Sequence, residues 1–385
     1  MENNRTLENS IKNLQTPCYI CEEKLLENNL KLLKYVKEKS GAKILLALKG
    51  FAFSPLMPLV IDYLDGCCAS GLHEAKYAKD YESKEIHTYS AAFKEDEFDE
   101  ICSLSNHIVF NSLNQYKTLK HKTISRNSLG LRINPQVSTV CHDIYNPCAK
   151  HSRLGITKNT LEDELKKDNT LLDDIDGFHF HALCEQDSKD LATVLEQFIK
   201  GFSKYFVNLK WLNLGGGHHI TRDNYDVELL IKLIKDIKQS YPNLQIYLEP
   251  GEAIGWRTGT LVSTILDIVN NEQNIAILDT SAEAHMSDTI IMPYKADVRY
   301  TNDSYKHKYI LAGNTCLAGD IMGTYKFNKP LQIGQKIIFE DMIHYTIVKN
   351  TTFNGIKLPN LAVLNKDGKL EVKKEFGYEE YKRRN

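Results

Sequence analysis

The sequence carries no large excess of either charge: 48 lysines and arginines stand against 50 acids, a formal net charge of -2. That excludes a general electrostatic pull toward nucleic acid or an anionic membrane surface. No apolar run approaches the roughly 20 residues that cross a bilayer, and the opening MENNRTLENS is too polar for a secretory signal. Proline is scarce, at 10 in 385 residues, and no Pro-rich linker, internal repeat or low-complexity tract divides the chain. The nine cysteines are odd in number and irregularly spread. They argue against a disulfide framework and for reduced thiols in a cytoplasmic setting. Cys67 and Cys68 are adjacent rather than at ligand spacing, so no zinc site is expected.

What is present is a rhythm. The segment TPCYICEE reads as a short strand, followed by LLENNLKLLKYVKEKSG with Leu25, Leu26, Leu30, Leu33 and Val36 near helical spacing and Gly41 as a stop. Short apolar strands then alternate with amphipathic helices such as 226–239. The strand candidates between Ala42 and Gly251 are AKILLALK, GCCAS, EIHTYS, NHIVF, SLGLRIN, GFHFHAL, LKWLNLGGG and LQIYLEPG. Eight such units predict a closed (β/α)8 barrel of the TIM type. From about Thr260 the pattern changes to TLVSTILDIV, NIAILDT, KYILAG, QKIIFE, HYTIV and NLAVLN, with turns at Asn354-Gly355 and Asp367-Gly368. This is antiparallel β character. The expected organisation is an N-terminal strand and helix at 1–40 packing with the C-terminal domain, a barrel at 41–259 and a β-rich domain at 260–385.

Catalytic groups of such barrels gather at the C-terminal ends of the strands. There the sequence places Lys49, Ser70, Arg132, His181, the run Gly215-Gly216-Gly217, and Glu249. A lysine ending a buried strand is desolvated, which makes its amine nucleophilic. The glycine run is either a flexible turn or an anion cradle whose backbone N–H groups approach a phosphate. His179 and His181 face the same way; they could ligate a metal, but no third ligand stands at suitable spacing, and a flat ring over a cofactor is the other reading. Glu249 could simply be ion-paired with Arg132. Together, an amine, a phosphate cradle, an acid and an aromatic ring at one barrel face are what pyridoxal 5'-phosphate requires.

ALKG (47–50), CASGLHE (68–74), LRINP (131–135), GFHFHAL (177–183), LNLGGGHH (212–219), LEPGE (248–252), GNTCLAGD (313–320) and TFNG (352–355) occur in the order found in the ornithine/diaminopimelate decarboxylase family. The chain resembles that family over nearly its whole length. LEPGEA and LDTSAEAHMSD (278–288) are most similar to its branch acting on carboxylated polyamine precursors. The resemblance implies that Lys49 holds the cofactor as a Schiff base, Glu249 pairs with the pyridinium nitrogen and His181 stacks on the ring. Gly215, Gly216 and Gly217 would bind the phosphate with help from Tyr345, eight residues before Phe353, and Arg132 and Gly251 would line the cofactor. Cys316 would come from the partner subunit of a homodimer with shared active sites and deliver a proton. Glu252, Asp288 and Asp320 would receive substrate amines.

The family's arginine after EPG is Glu252 here, which suits a polyamine cation. HALC replaces the usual H-[IV]-G-S, so Cys184 cannot supply a hydroxyl. The implied reaction is decarboxylation of carboxynorspermidine or carboxyspermidine. The alternatives are decarboxylation of another basic amino acid (diaminopimelate, ornithine or arginine) and an inactive regulator of the same fold; the presence of Lys49 and Cys316 argues against the regulator.

Overall fold

The apolar segments of the first two thirds pair as expected. In the computed structural model, which describes Leu7, residues 10–291 and residues 293–385, Cys18–Glu22 (β1) precedes eight short strands. These are Lys43–Ala47 (β2), Gly66–Ala69 (β3), Ile86–Ser90 (β4), His107–Phe110 (β5), Ser128–Arg132 (β6), Gly177–His179 (β7), Trp211–Asn213 (β8) and Gln245–Leu248 (β9). Each pairs in parallel with the next, and β9 pairs back to β2, closing the barrel. The opening MENNRTLENS lies largely outside the described residues. Among those residues no helix is long and apolar enough to cross a membrane.

The helices between the strands bury one stripe each. In Val227–Ser240 the buried residues are Leu230, Ile231, Ile234 and Ile237, and Asp226 caps the helix by accepting from the Leu229 N–H at 2.9 Å. Inside the barrel, Trp211, Tyr247, Leu45 and Val109 form one apolar layer, with Tyr89 packed against it. Trp211 explains two glycines on neighbouring strands. A Cβ on Gly130 or Gly177 would lie 2.3 or 2.0 Å from indole atoms, so only glycine leaves room for the ring.

The N-terminal floor of the barrel is polar. Glu85 pairs with Lys43 through one oxygen, and its second oxygen accepts from the Tyr247 hydroxyl at 3.2 Å and lies 3.1 Å from His87 Nε2. His87 and His107 stack with ring centroids 3.7 Å apart and planes 14° apart. Glu85, His87 and His107 are thus three metal-capable side chains within reach of one another. The stacking runs the in-plane lone pairs side by side, however, rather than converging them on one point.

The β unit is a mixed sheet. Its strands are Gly259–Asn271 (β10), Gln273–Leu278 (β11), His307–Ala312 (β12), Ile321–Phe327 (β13), Lys336–Glu340 (β14), Asn360–Leu364 (β15) and Leu370–Lys374 (β16), in the order β13-β12-β11-β10-β1-β15-β16, with β14 also on β10. The N-terminal strand β1 joins this sheet, as expected, antiparallel to β10 and parallel to β15. The expected antiparallel character describes most of the pairings, and β1–β15 and β11–β12 depart from it by pairing in parallel. Residues 344–348 are not a strand. Asp341, with φ of 59°, turns the chain straight after β14, and Tyr345–Val348 is a helical turn. Asn354-Gly355 lies in a 3-10 turn, whereas Asp367-Gly368 closes the β15–β16 hairpin.

All nine cysteines are free. The C-x-x-C spacing at Cys18 and Cys21 falls within β1, where residues three apart point to opposite faces. It brings no pair of thiols together. By compactness, residues 29–50 and 57–254 form one unit, and residues 51–56, 255–385 and the N-terminal segment up to Asn28 form the other. The second half of the helix Glu23–Ser40 therefore groups with the barrel.

Burial alone would raise the Glu85 carboxyl, but His87 and Lys43 outweigh it and hold it down to about 2. Its contribution to stability is complete above the unfolded carboxyl range, about 4.3, and is lost as pH falls from there through about 2. Glu85→Gln should cost on the order of 2–3 kcal/mol at about pH 7, and about half of that difference should be gone by about pH 3. Urea unfolding followed by circular dichroism at both values checks this. A difference that does not change with pH would show that the carboxylate charge is not what stabilises the floor.

Candidate active site

The C-terminal ends of the barrel strands bring Lys49, Arg132, His181, the glycine run and Glu249 to one mouth. Lys49 follows β2 by two residues. The backbone on either side is pinned: Ala47 N–H donates to the Pro250 carbonyl at 2.9 Å, and Leu48 N–H to the Cys68 carbonyl at 3.3 Å. The amine end is accessible within the mouth, yet protein rings it. Desolvation lowers its pKa, Cys68 and Glu249 oppose the shift, and Arg132 adds to it. An amine shifted in this direction is uncharged, and so nucleophilic, in a larger fraction of molecules at neutral pH.

Glu249 stands just beyond β9. Asn213 Nδ2 donates to one carboxylate oxygen at 2.6 Å, and His179 Nε2 lies 3.4 Å from the other. Burial pushes this carboxyl up, but His179 and Asn213 outweigh the push and hold it at about 2. Glu249 is therefore an anion at any physiological pH. Its partners are these two residues, so the alternative of an ion pair with Arg132 does not describe it. Arg132 instead lies over the Tyr89 ring, 4.6 Å from its centroid, with one guanidinium nitrogen 3.4 Å from the His181 carbonyl.

Gly215 and Gly217 adopt φ of +70° and +80°, the left-handed region that favours glycine. A Cβ on Gly215, Gly216 or Gly217 would lie 2.3, 2.2 or 2.1 Å from the carbonyl oxygens of Phe180, Glu249 and Leu183. No other residue lets this loop pass so close to its neighbours. Two of its amides are engaged: Gly215 N–H donates to Asn213 Oδ1 and Gly216 N–H to His181 Nδ1, both at 2.9 Å. That second bond fixes the imidazole, placing the proton of the neutral ring on Nε2. Burial, with Lys49 and Arg132 nearby, drives the His181 pKa well below its ordinary value, so the ring is neutral. Gly251 packs against β2, where a Cβ would meet the Ala47 carbonyl oxygen at 3.0 Å and Gly50 Cα at 3.1 Å. Glu252 begins the short helix Glu252–Gly255, and its carboxylate lies 3.5 Å from His219 Nε2.

The remaining expected residues belong to the β unit. Cys316 is exposed, and its backbone N–H donates to Asn354 Oδ1 at 2.7 Å, which tethers its loop to the TFNG turn. Asp320 is buried, with both oxygens taken: one accepts from Ala282 N–H at 2.7 Å, the other from the Thr315 hydroxyl at 2.6 Å. The expectation that it receives a substrate amine is corrected by these bonds; it ties the 313–320 loop to the segment after β11. Asp288 forms an ion pair with Lys349 at 2.5 Å, so a substrate ammonium would have to share it. Tyr345 carries Lys349 over its ring, 5.3 Å from the centroid. Asn213 and Asn354 were given no functional role from the sequence. Each is an amide inside a quoted motif, LNLGGGHH and TFNG, and a polar residue ending the apolar strand WLN was the available signal for Asn213.

A family model described as "Pyridoxal-dependent decarboxylase, C-terminal sheet domain" matches residues 18–343. The chain is 55% identical, over 97% of its length and 99% of the relative's, to a carboxynorspermidine/carboxyspermidine decarboxylase of Campylobacter jejuni. It is 42% identical, over 97% of its length and 96% of the relative's, to a carboxyaminopropylagmatine decarboxylase of Synechocystis. The crystal structure of carboxynorspermidine decarboxylase from Campylobacter jejuni, complexed with norspermidine, superposes with a TM-score of 0.90 at 53% identity, covering 97% of this chain and all of that one. With its barrel, its mixed sheet and the buried acid, lysine and glycine loop at one mouth, the chain belongs to the pyridoxal-dependent decarboxylase family.

Proposed function

We propose that the protein decarboxylates carboxynorspermidine and carboxyspermidine with pyridoxal 5'-phosphate as its cofactor. The observation that carries the substrate class is the end-to-end likeness, 55% over 97% of the chain, to a decarboxylase named for both compounds. The barrel mouth suits the cofactor on its own chemistry. It offers a desolvated amine at Lys49, an anion at Glu249, a neutral ring at His181 and a glycine loop too close-packed for any side chain.

When bound, the pyridoxal group supplies an electron sink for the pair released as CO2 leaves. The chain's own groups do the rest. Lys49 provides the amine that attaches the cofactor. Glu249, ionised throughout the working pH range, would pair with the ring nitrogen and keep it protonated. His181 presents a flat face whose orientation the Gly216 amide fixes. The loop at Gly215–Gly217 receives the phosphate, and Arg132 closes one side of the mouth. By motif position Tyr345 would add a phosphate contact, and the Cys316 thiol would give a proton to the carbon that has lost CO2. The exposure of Cys316 suits service in the partner's site of a homodimer. A cytoplasmic location accords with the free thiols.

Glu252 stands three residues beyond Glu249, the acid assigned to the ring nitrogen. An acid there meets a cation, which the secondary amine and the terminal primary amine of carboxynorspermidine supply at neutral pH. The test of function is CO2 release from carboxynorspermidine, carboxyspermidine, carboxyaminopropylagmatine and diaminopimelate in parallel. The first two should be turned over with the highest kcat/KM. A preference for carboxyaminopropylagmatine would move the protein to the role named for its Synechocystis relative, and one for diaminopimelate would sink the polyamine reading.

Borohydride reduction of the cofactor-loaded protein followed by peptide mapping should label Lys49, and Lys49→Ala should lose both label and activity. A label on a different lysine would overturn that assignment. Glu252→Gln should keep cofactor absorbance and lower kcat/KM for the polyamine substrate by a factor of about 30 or more, the loss expected for a desolvated charge-assisted contact. Asp288→Asn should cost less, because Lys349 already meets that carboxylate. Wild-type efficiency in Glu252→Gln would remove this residue from the amine contacts.

A further inference from the structure

We propose that Asn213 is a positioning residue that locks the orientation of Glu249 to the glycine loop, so that one side chain sets both the acid facing the ring nitrogen and the cradle facing the phosphate. The inference rests on the cofactor reading above and extends it to a residue with no assigned role.

Asn213 is the last residue of β8 and is buried. Its backbone is fixed on both sides: Phe180 N–H donates to its carbonyl at 3.0 Å, and the register pairs it with His179 on β7 and Tyr247 on β9. Its amide can sit only one way round. The NH2 group faces the Glu249 carboxylate, an acceptor, at 2.6 Å, and the oxygen faces the Gly215 N–H, a donor, at 2.9 Å. With the amide swapped, two acceptors would oppose each other at one end and two donors at the other. The same loop returns a backbone bond, Glu249 N–H being seated on the Gly215 carbonyl through an N···O distance of 2.8 Å. Glu249 is thus tied to Gly215 twice, once through the backbone and once through Asn213.

The residue type matters as much as the place. Leucine at 213 would leave the carboxylate oxygen and the Gly215 amide without partners in a buried site. Aspartate has nearly the same shape and can still accept from Gly215, but it sets a second carboxylate against Glu249. Two carboxylates at hydrogen-bond distance hold one proton between them. Asparagine alone donates to Glu249, accepts from Gly215 and adds no charge. The titratable groups that interact with Glu249 are His179 from β7, His87 from β4, His107 from β5, Cys68 from β3 and Lys49 beyond β2. Burial drives His179 toward its neutral form, so in Asn213→Asp the added proton belongs to the carboxyl pair.

The experiment compares wild type, Asn213→Asp and Asn213→Ala as full-length apo-proteins and after loading. In the apo-proteins, infrared spectroscopy at neutral pH should show a protonated-carboxyl stretch in Asn213→Asp that the wild type lacks. Titration with pyridoxal phosphate should show Asn213→Asp binding about as tightly as wild type, since the Gly215 bond survives. Asn213→Ala should bind about ten- to a hundredfold more weakly, with the acid limb of its kcat profile moved to higher pH. Asn213→Asp is nearly isosteric, so it keeps the test informative if the alanine variant folds poorly. Absence of the carboxyl stretch, or an alanine variant that binds and titrates like wild type, overturns the proposal. A wild type that takes up no pyridoxal phosphate overturns the cofactor reading instead, while the carboxyl stretch still decides whether Asn213 and Glu249 are coupled.

Discussion

The seam at which β9 meets β2 is the constraint on which the mouth depends. A parallel barrel closes only if its last strand pairs with its first, and here Lys43 and Ile44 pair with Tyr247 and Leu248. Beyond the paired residues the two chains stay in contact, through the Ala47 N–H bond to Pro250 and the approach of Gly50 to Gly251. A Cβ on Gly50 would lie 2.9 Å from Gly251 Cα, and one on Gly251 would lie 3.1 Å from Gly50 Cα. Either addition would push the strand ends apart. Because they are not pushed apart, the lysine two residues past β2 and the acid one residue past β9 share a mouth, although 200 positions separate Lys49 from Glu249. The glycines of ALKG and LEPGE are therefore explained by closure before any chemistry is invoked.

Closure also sets the electrostatics. Bringing an amine, a guanidinium, two imidazoles and a carboxylate together in one protein-ringed mouth disfavours every charge that lacks a partner. The result is selective. His179 and His181 go neutral and Lys49 is shifted the same way, while Glu249 stays ionised because Asn213 and His179 meet its oxygens. The opposite end of the barrel follows the same rule with a different outcome. Glu85, Lys43, His87 and Tyr247 satisfy one another there, forming a closed polar floor under the Trp211 layer. At that end only His87 Nδ1 and His107 Nδ1 stay buried without a hydrogen-bond partner among the groups of the floor, while the other end keeps an exposed lysine.

The barrel was legible because its signal is repetitive: each strand is a short apolar run ended by an unusual residue, and parallel order follows from the helices between. Lys49, His181, the glycines and Glu249 were legible for the same reason, as exceptions at strand ends. What escaped was set by tertiary contacts. Thr346, Ile347 and Val348 read as strand from their β-branched side chains, yet the turn at Asp341 leaves them no edge to pair with. The parallel contacts of β1 with β15 and β11 with β12 join segments far apart or separated by irregular chain, and no periodicity encodes that. Asp320 and Asp288 looked like free acids because a sequence lists charges but not the donors that occupy them. Asn213 was hidden by its ordinariness, since an asparagine beside a glycine run reads as part of the turn.

Within the β unit, Cys316 combines an exposed side chain with a fixed backbone. Its loop is held at one point by Asn354, which accepts the Cys316 N–H, and at another by Asp320, which gathers Thr315 and the Ala282 N–H. Asn354 can make its contact because it adopts φ of 59°, a conformation that asparagine tolerates better than most residues. An exposed cysteine on a loose loop would sample many positions and serve no particular atom. One whose own amide and next-door threonine are both anchored keeps its Cα in place, so the thiol moves only among its own rotamers. Burying Asp320 costs desolvation, and the donors gathered on its two oxygens offset that cost while fixing the loop. Asp320 meets the Ala282 N–H with one oxygen and the Thr315 hydroxyl with the other, so this acid works as the knot of the loop and not as an open charge.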